Sequence, residues 1–283
     1  MHIKQVPEWD KDVLLRSPLF VPLHPIFVEL PTDSFPTLRD CIALLTRCQS
    51  PITVQSGMPL SFVAHQSGKQ KFEDQYEPRC YLKGEVATRA YNWHDLLNAL
   101  VWLTFPRTKA VLNARHYDAL LKQENIASGS QRGAVRDVNT LLDESGVIVP
   151  YADAELAGLL RGFKWKELFW QRREQVRAQT SRQVMSFYIF GHGLYEKALQ
   201  PYIGMTGQGL LLAVEPEYFG WPLARQLAHM DNLLADYLAD PEHCRSTRDL
   251  SPVPLLGVPG WDANNDSATY YENTAYFRPG RRK

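Results

Sequence analysis

The sequence has little that would mark an exported or membrane-bound protein. Its 283 residues include only four cysteines, at positions 41, 48, 80 and 244, with neither a CxxC pair nor metal-ligand spacing. We expect free thiols in a reducing compartment. No run approaches the roughly 20 apolar residues of a membrane helix, and the opening segment MHIKQVPEWDKDV has no apolar signal core. These absences predict a soluble cytoplasmic protein without a membrane partner.

An excess of charge of either sign is also absent. Lys plus Arg and Asp plus Glu each total 31, so the formal net charge is zero. That balance argues against a protein that coats nucleic acid through its overall charge, although a local basic groove stays open. The Walker, GxGxxG, GxSxG and HExxH motifs are missing as well. The sequence therefore assigns no cofactor, and it leaves the oligomeric state open.

Apolar residues, by contrast, make up 45% of the chain, enough for a large core. The pattern predicts one α+β domain that is predominantly helical with a few short strands. Prolines crowd residues 1–35, which we expect to form an arm packed on the body. The domain would then span 36–283, with an irregular C-terminal segment at 241–283 in which the stretch SPVPLLGVPGWDANNDS is a structured loop that cannot be helical.

Hydrophobic periodicity places the expected elements along the chain. Helices are predicted at 37–48, 92–104, 108–123, 132–143, 153–162, 165–179, within 181–199 and at 221–239. Strands are predicted at 60–65, 79–86, 146–150 and 207–215.

The stretch YNWHDLLNALVWLTFPRTKAVLNARH, residues 91–116, carries an unusual number of small polar groups. On the first of its two helices, one face holds His94, Asp95, Asn98, Ala99 and Trp102, and it lacks Lys, Arg, Glu and Gln. A solvated helical face normally carries those longer residues. The composition therefore indicates a face in contact with protein or ligand.

The second helix places Lys109, Asn113 and His116 inside its apolar arc, at spacings of four and three. A buried ammonium requires a partner, and Asp95 is the nearest carboxylate in the sequence. The resulting polar seam has three interpretations: a buried network that fixes helix packing, a ligand or catalytic pocket, or simple surface exposure.

The doublet His94–Asp95 is also typical of metal phosphohydrolases. Such sites need a further upstream His and a downstream Asp, for which only His65 and Asp137 or Asp143 are available, without supporting local pattern. The signal is weak, so no metal ligand is assigned.

Two more charged groups have a functional and a structural interpretation. Arg136 lies on a helical stripe with Asp143, which favours a solvated ion-pair stripe over an anion-binding arginine. His192 stands between Gly191 and Gly193, an arrangement that permits either close helix packing or approach of a ligand, and Glu196 could orient the imidazole.

Several long motifs resemble an uncharacterised bacterial protein family known only as a domain of unknown function. They are NWHDLLNALVWLTFPRTKAVLNARH, RDVNTLLDESGVIV, FGHGLYEKAL, and PVPLLGVPGW followed by YFRP, and together they cover most of the chain from about residue 78 onward. The resemblance implies a bacterial cytoplasmic protein. It implies no activity, cofactor or catalytic residue.

Two functional hypotheses follow. The first is a hydrolase of a small phosphorylated or nucleic-acid-related substrate, with His94 or His116 as general base, Asp95 orienting it, and Lys109 stabilising negative charge. The residues expected to bind the substrate are Asn98, Trp102, Asn113, Arg136, His192 and Trp261. The second is a non-catalytic protein that binds a small, nucleotide-like ligand or RNA in the same seam, under the GVPGW loop as a lid. A purely structural network is the alternative to both.

Overall fold

The computed structural model describes residues 8–66, 68, 71–125, 130–178 and 180–280, with only the backbone at 122–125 and 130–132. Its helices are α1 Lys11–Arg16, α2 His24–Phe27, α3 Leu38–Thr46, α4 Tyr76–Lys83, α5 Trp93–Thr104, α6 Pro106–Asn125, α7 Ser130–Ser145, α8 Ala154–Arg161, α9 Arg173–Val176, α10 His192–Ala198 and α11 Leu223–Ala239. Its strands are β1 Ser61–Ala64, β2 Glu85–Thr88, β3 Gly146–Tyr151, β4 Tyr188–Ile189, β5 Thr206–Ala213 and β6 Ser251–Pro254. The predicted α+β fold, predominantly helical, is confirmed.

The strands form two small sheets. β1 and β2 pair in parallel. The second sheet has the order β4-β3-β5-β6, in which β3 and β5 are parallel and both edge strands are antiparallel to their neighbours. The first five residues of β3 are buried, which is why its sequence is a continuous apolar run with no alternation.

Helix α7 passes directly into strand β3, and this junction brings the ends of three helices together. The backbone N–H groups of Phe190 and Gly191 both donate to the carbonyl of Gly146, the first residue of β3. The loop that leads into α10 is therefore tied to the end of α7. Because α10 also packs against α5, the N-terminal ends of α5 and α10 meet the C-terminal end of α7.

The predicted pair of helices at 92–104 and 108–123 is confirmed, with α6 starting slightly earlier. The Asn92 side chain caps α5 by accepting from the N–H of Asp95. At the start of α6, the backbone N–H groups of Arg107 and Thr108 donate to the carboxylate of Asp231 on α11. Asp231 thereby satisfies free donors of the helix end.

The expected strand at 79–86 is wrong in its first part. Tyr76–Lys83 is helix α4, and the strand starts only after Gly84. Gly84 ends the helix with a φ of +69°, a left-handed conformation that glycine adopts at little cost.

Three other expectations need correction. Residues 165–179 do not form one helix, since a π-helical turn at Glu167–Gln171 precedes α9. The expected helix within 181–199 is strand β4 followed by α10. In the C-terminal segment, β6 pairs as an edge strand, a position where Pro252 and Pro254 are tolerated because no N–H has to donate to a further strand.

Residues 8–35 pack against helices α5 and α10. The Trp9 ring stacks on Trp93 of α5, with centroids 5.5 Å apart. The Phe20 ring stacks on Tyr195 of α10 at 5.4 Å. Among the described residues, no helix combines the length and the apolar composition that crossing a membrane requires.

Candidate metal centre

Three side chains from three helices converge on one point: His94 of α5, Glu144 of α7 and His192 of α10. The two imidazole Nε2 atoms are 3.0 Å apart. Glu144 Oε1 lies 3.6 Å from His192 Nε2 and 3.9 Å from His94 Nε2. A point equidistant from these three atoms is about 2 Å from each, the distance at which histidine nitrogen and carboxylate oxygen bind Zn²⁺.

Glycine makes this convergence possible. A Cβ atom at Gly191 would overlap the backbone at the α7–β3 junction, including the amide nitrogen of Ser145. A Cβ atom at Gly193 would collide with the Glu144 carboxylate. These two glycines therefore let the end of α7 approach the segment around His192 closely. Close packing is one of the two roles that the sequence suggested for them.

Each imidazole has a carboxylate behind its other nitrogen. His94 Nδ1 lies 3.0 Å from Glu196 Oε2, and an ionised carboxylate only accepts, so the His94 proton is on Nδ1. His192 Nδ1 faces Asp143, whose Oδ2 is 3.7 Å away. Carboxylates in this position orient metal-binding histidines and fix their tautomer. His94 Nε2 is then free to accept, and it lies at hydrogen-bonding distance from His192 Nε2. A cation bound between the two rings would replace the proton shared by these nitrogens.

The electrostatics of the cluster also suit a cation. Burial lowers the pKa of His192 to about 4, against the opposing charge of Asp143, so its imidazole is neutral near pH 7. Burial raises the pKa of Glu144, and Asp143 acts in the same direction while His94 opposes it. A bound cation would relieve the cost of a charged Glu144 in this position.

The three atoms open onto a polar cavity of about 350 Å³. The side chains of His94 and Glu144 are 31% and 43% exposed, whereas that of His192 is 7% exposed. An ion held by these groups would have one side facing the cavity, as in catalytic metal sites. Five carboxylates line the cavity: Asp74, Glu77, Asp95, Asp143 and Glu144.

The predicted burial of the seam on α6 is confirmed. Lys109, Asn113 and His116 are 3%, 3% and 8% exposed. The predicted partner of Lys109 is wrong. Lys109 Nζ lies 2.5 Å from Asp143 Oδ1, because α6 packs on α7. Asp95 is held instead by Arg89, which donates from Nη2 and Nε at 2.7 and 2.8 Å.

Much of the seam is a satisfied hydrogen-bond network. Lys109 Nζ also donates to Asn98 Oδ1 at 2.9 Å, and Asn98 Nδ2 donates to the Tyr76 hydroxyl at 2.7 Å. The Trp102 ring centroid lies 5.5 Å from Lys109 Nζ. For Lys109 the geometry favours the structural interpretation over direct contact with a substrate, whereas Asn98 also lines the open cavity.

A second, much smaller cavity of about 10 Å³ lies behind the open one. Asn113, His116 and Trp102 line it, and Glu77 lines both cavities. Among the described residues, Trp102 Nε1 and Asn113 Oδ1 are buried without a hydrogen-bond partner. A space of this size is at the lower limit for one water molecule.

Other residues singled out in the sequence lie elsewhere or in other roles. Arg136 is exposed on α7, and Trp261 lines a separate groove with Trp221; neither lines the histidine cavity. His65 does line the cavity, but Arg89 occupies Asp95, so the doublet does not supply the ligand pair.

Sequence reasoning missed Glu144 and paired Glu196 with the wrong histidine. Glu196 contacts His94, which is 102 positions away, and not His192 one turn before it. The only local signal for Glu144 was its place at the end of a helix that runs straight into an apolar strand.

Fold and site together define a predominantly helical α+β protein with two histidines and a glutamate at the wall of a polar cavity. The chain belongs to the family described as protein of unknown function (DUF3025), which matches residues 60–281. The match includes all three converging residues and leaves the segment before residue 60 outside. No curated protein and no solved structure matches the chain.

Proposed function

We propose that this protein is a metal-dependent hydrolase in which His94, Glu144 and His192 bind a divalent transition-metal ion such as Zn²⁺. The observation that carries the proposal is the convergence of two Nε2 atoms and one carboxylate oxygen on a point about 2 Å from each. An ion of this class supplies a water of lowered pKa and polarises a substrate oxygen.

The surrounding residues support this assignment. Glu196 sets the tautomer of His94, and Asp143 faces His192 from the buried side. The cavity volume of about 350 Å³ suits a small molecule. Arg89 lines the cavity with a side chain that is 46% exposed, and it is the group through which a phosphorylated or nucleic-acid-related substrate would be held.

The proposal also places the protein in the bacterial cytoplasm. All four cysteines are free thiols, three of them buried, which fits a reducing compartment.

Metal binding is tested first. The full chain, stripped with a chelator, is titrated with Zn²⁺ by calorimetry, and metal content is measured after dialysis. We expect one ion per chain, and at least about a tenfold loss of affinity in His94→Ala, His192→Ala and Glu144→Gln. His65→Ala, which alters a cavity histidine outside the convergence, is the matched control and should bind as the wild type does. No binding by the wild type, or equal binding by all variants, would refute the proposal.

Hydrolysis is tested on the Zn²⁺- and Co²⁺-loaded protein with p-nitrophenyl acetate and bis(p-nitrophenyl) phosphate. We expect turnover that the three ligand variants lose while circular dichroism shows them folded. A preference for the phosphodiester would support the substrate class expected from the sequence. Metal binding without turnover of either probe would favour the non-catalytic ligand-binding alternative.

A further inference from the structure

Glu77, on α4, stands between the open cavity and the small inner one. Asn113 Nδ2 donates to Glu77 Oε2 at 2.5 Å and to the Glu77 carbonyl at 3.1 Å, so one amide holds both side chain and backbone. Glu77 thus lines the cavity that contains the proposed metal ligands, while its carboxyl group is held by an amide that lines the inner cavity. The hydrogen bonds that join Lys109, Asn98 and Tyr76 do not include Glu77.

We propose that Glu77 is the proton-transferring catalytic residue of this site, a role that rests on the proposed function. The attacking water forms a bond from its oxygen to the ester carbon or phosphorus, and its proton moves to the Glu77 carboxylate. The bond from that centre to the leaving oxygen then breaks, and the proton passes from Glu77 to the leaving oxygen. Glu77 ends ionised, and only water and substrate are consumed.

The surroundings of Glu77 suit this exchange. Burial raises its pKa and Asp143 acts in the same direction, while His116, the Asn113 hydrogen bond and Lys109 oppose them. A carboxyl group whose pKa is moved toward neutrality both accepts and donates a proton more readily near pH 7. The titratable or charged groups near Glu77 are Tyr76 and Cys80 on its own helix, Lys109 and His116 on α6, and Asp143 on α7. The other such groups that line the open cavity with it are His65, Asp74, Arg89, His94, Asp95, Glu144 and His192.

The inner cavity also explains the position of His116. His116 lines that cavity and not the open one, so it does not reach a substrate directly. A general-base role for His116, one of the two alternatives from the sequence, would therefore have to act through a residue that lines both cavities, and these are Tyr76, Glu77 and Asp143.

The test uses acetohydroxamic acid, which binds Zn²⁺ through two oxygens and transfers its hydroxyl proton to a neighbouring base. Its affinity for the Zn²⁺-loaded full chain is measured by calorimetry in the wild type, in Glu77→Gln and in Glu73→Gln. Glu73 is exposed on the turn just before α4, which makes it a matched control. We expect Glu77→Gln to keep its Zn²⁺ affinity and to bind the hydroxamate at least about tenfold more weakly. Glu73→Gln should change neither.

The possible results separate the two proposals. Wild-type hydroxamate affinity in Zn²⁺-loaded Glu77→Gln would overturn the role of Glu77 and leave the metal centre standing. Failure of the wild type to bind Zn²⁺ would overturn the metal centre and this role with it. If Glu77→Gln does not fold, Glu77→Asp replaces it; moving the carboxyl group back by one carbon should weaken hydroxamate binding about threefold, and an unchanged affinity would refute the role.

Discussion

Lys109 Nζ lies 2.5 Å from Asp143 Oδ1, and the two side chains are 4% and 13% exposed. The other carboxylate oxygen of Asp143 is 3.7 Å from Nδ1 of His192. A buried ion pair therefore stands directly behind the least exposed ligand of the proposed metal centre. Since the ion pair comes from α6 and α7, it also fixes how these two helices meet at that point.

Breaking this pair should be costly. Lys109→Met leaves the Asp143 carboxylate buried without its counter-charge, and Asp143→Asn leaves the ammonium in the same position. We expect each single substitution to lower the free energy of unfolding by about 3–5 kcal/mol, and the double substitution to cost less than the sum of the two. Urea unfolding at neutral pH measures all three.

The exposed pair Lys83–Asp74, with side chains 44% and 43% exposed, is the matched control. Lys83→Met should lower the free energy of unfolding far less than Lys109→Met does, because solvent screens that pair. Equal losses in Lys83→Met and Lys109→Met would mean that burial of the inner pair does not control its energy.

Lowering the pH should remove the stability that the Lys109–Asp143 pair contributes. Burial alone would raise the pKa of Asp143, but the charge and hydrogen bond of Lys109, together with the charges of His192 and His116, outweigh burial and bring it down to about 2. A lowered folded-state pKa means that the carboxylate stabilises the fold above its unfolded pKa of about 4 and loses that contribution as the pH falls toward 2. The loss should be on the order of 2 kcal/mol.

Urea unfolding of the wild type and Lys109→Met at several pH values between 5 and 2 measures this effect. Without the ammonium of Lys109, the positive charge that does most to lower the pKa of Asp143 is gone, so the variant should lose less stability than the wild type over that range. Parallel curves for the two proteins would show that Asp143 does not contribute through Lys109.

Much of α5 and α6 was predictable because a helix encodes its faces locally. The burial of Lys109, Asn113 and His116 follows from their spacing within an apolar arc, and the structure confirms it. The partner of Lys109 was not predictable in this way. Asp143 is 34 positions away, and only the packing of α7 against α6 brings it closer than Asp95.

The metal centre depends even more on contacts between distant positions, which a local sequence pattern does not encode. His94 and His192 drew attention in the sequence, but they are 98 positions apart and come together only through the α10–α5 contact. Glu144 carried no pattern of its own, since a glutamate near a helix end is common on protein surfaces. The incorrect strand at 79–86 has a related cause: the β-prone residues before Gly84 are helical in the folded chain because tertiary packing overrides local propensity.

Gly193→Ala should weaken the metal centre without unfolding the protein. The new Cβ would collide with the Glu144 carboxylate, which is the movable end of a side chain. Glu144 can rotate away, and doing so removes its oxygen from the convergence with His94 and His192. We expect Zn²⁺ affinity to fall at least about tenfold, measured by calorimetry, while the urea midpoint changes little.

Gly191→Ala is the informative comparison. There the new Cβ would overlap fixed backbone at the α7–β3 junction, so the fold itself should lose several kcal/mol. Gly193→Ala with wild-type Zn²⁺ affinity would show that Glu144 is not a ligand, and Gly191→Ala with wild-type stability would contradict the close approach at the junction.

The arm should position the centre as well as stabilise the fold. Trp9 stacks on Trp93, the residue directly before His94, and its indole N–H donates to the Pro31 carbonyl at 2.9 Å. Trp9→Ala should lower the free energy of unfolding by about 2–3 kcal/mol, less than for a fully buried tryptophan because Trp9 is only partly buried. Loosening the start of α5 should also reduce Zn²⁺ affinity by about threefold to tenfold.

Tyr202→Ala, at an aromatic residue that is 53% exposed, should change neither quantity. Reduced stability with unchanged Zn²⁺ affinity in Trp9→Ala would limit the arm to a stabilising role, because the position of His94 would then not depend on the stack beneath it.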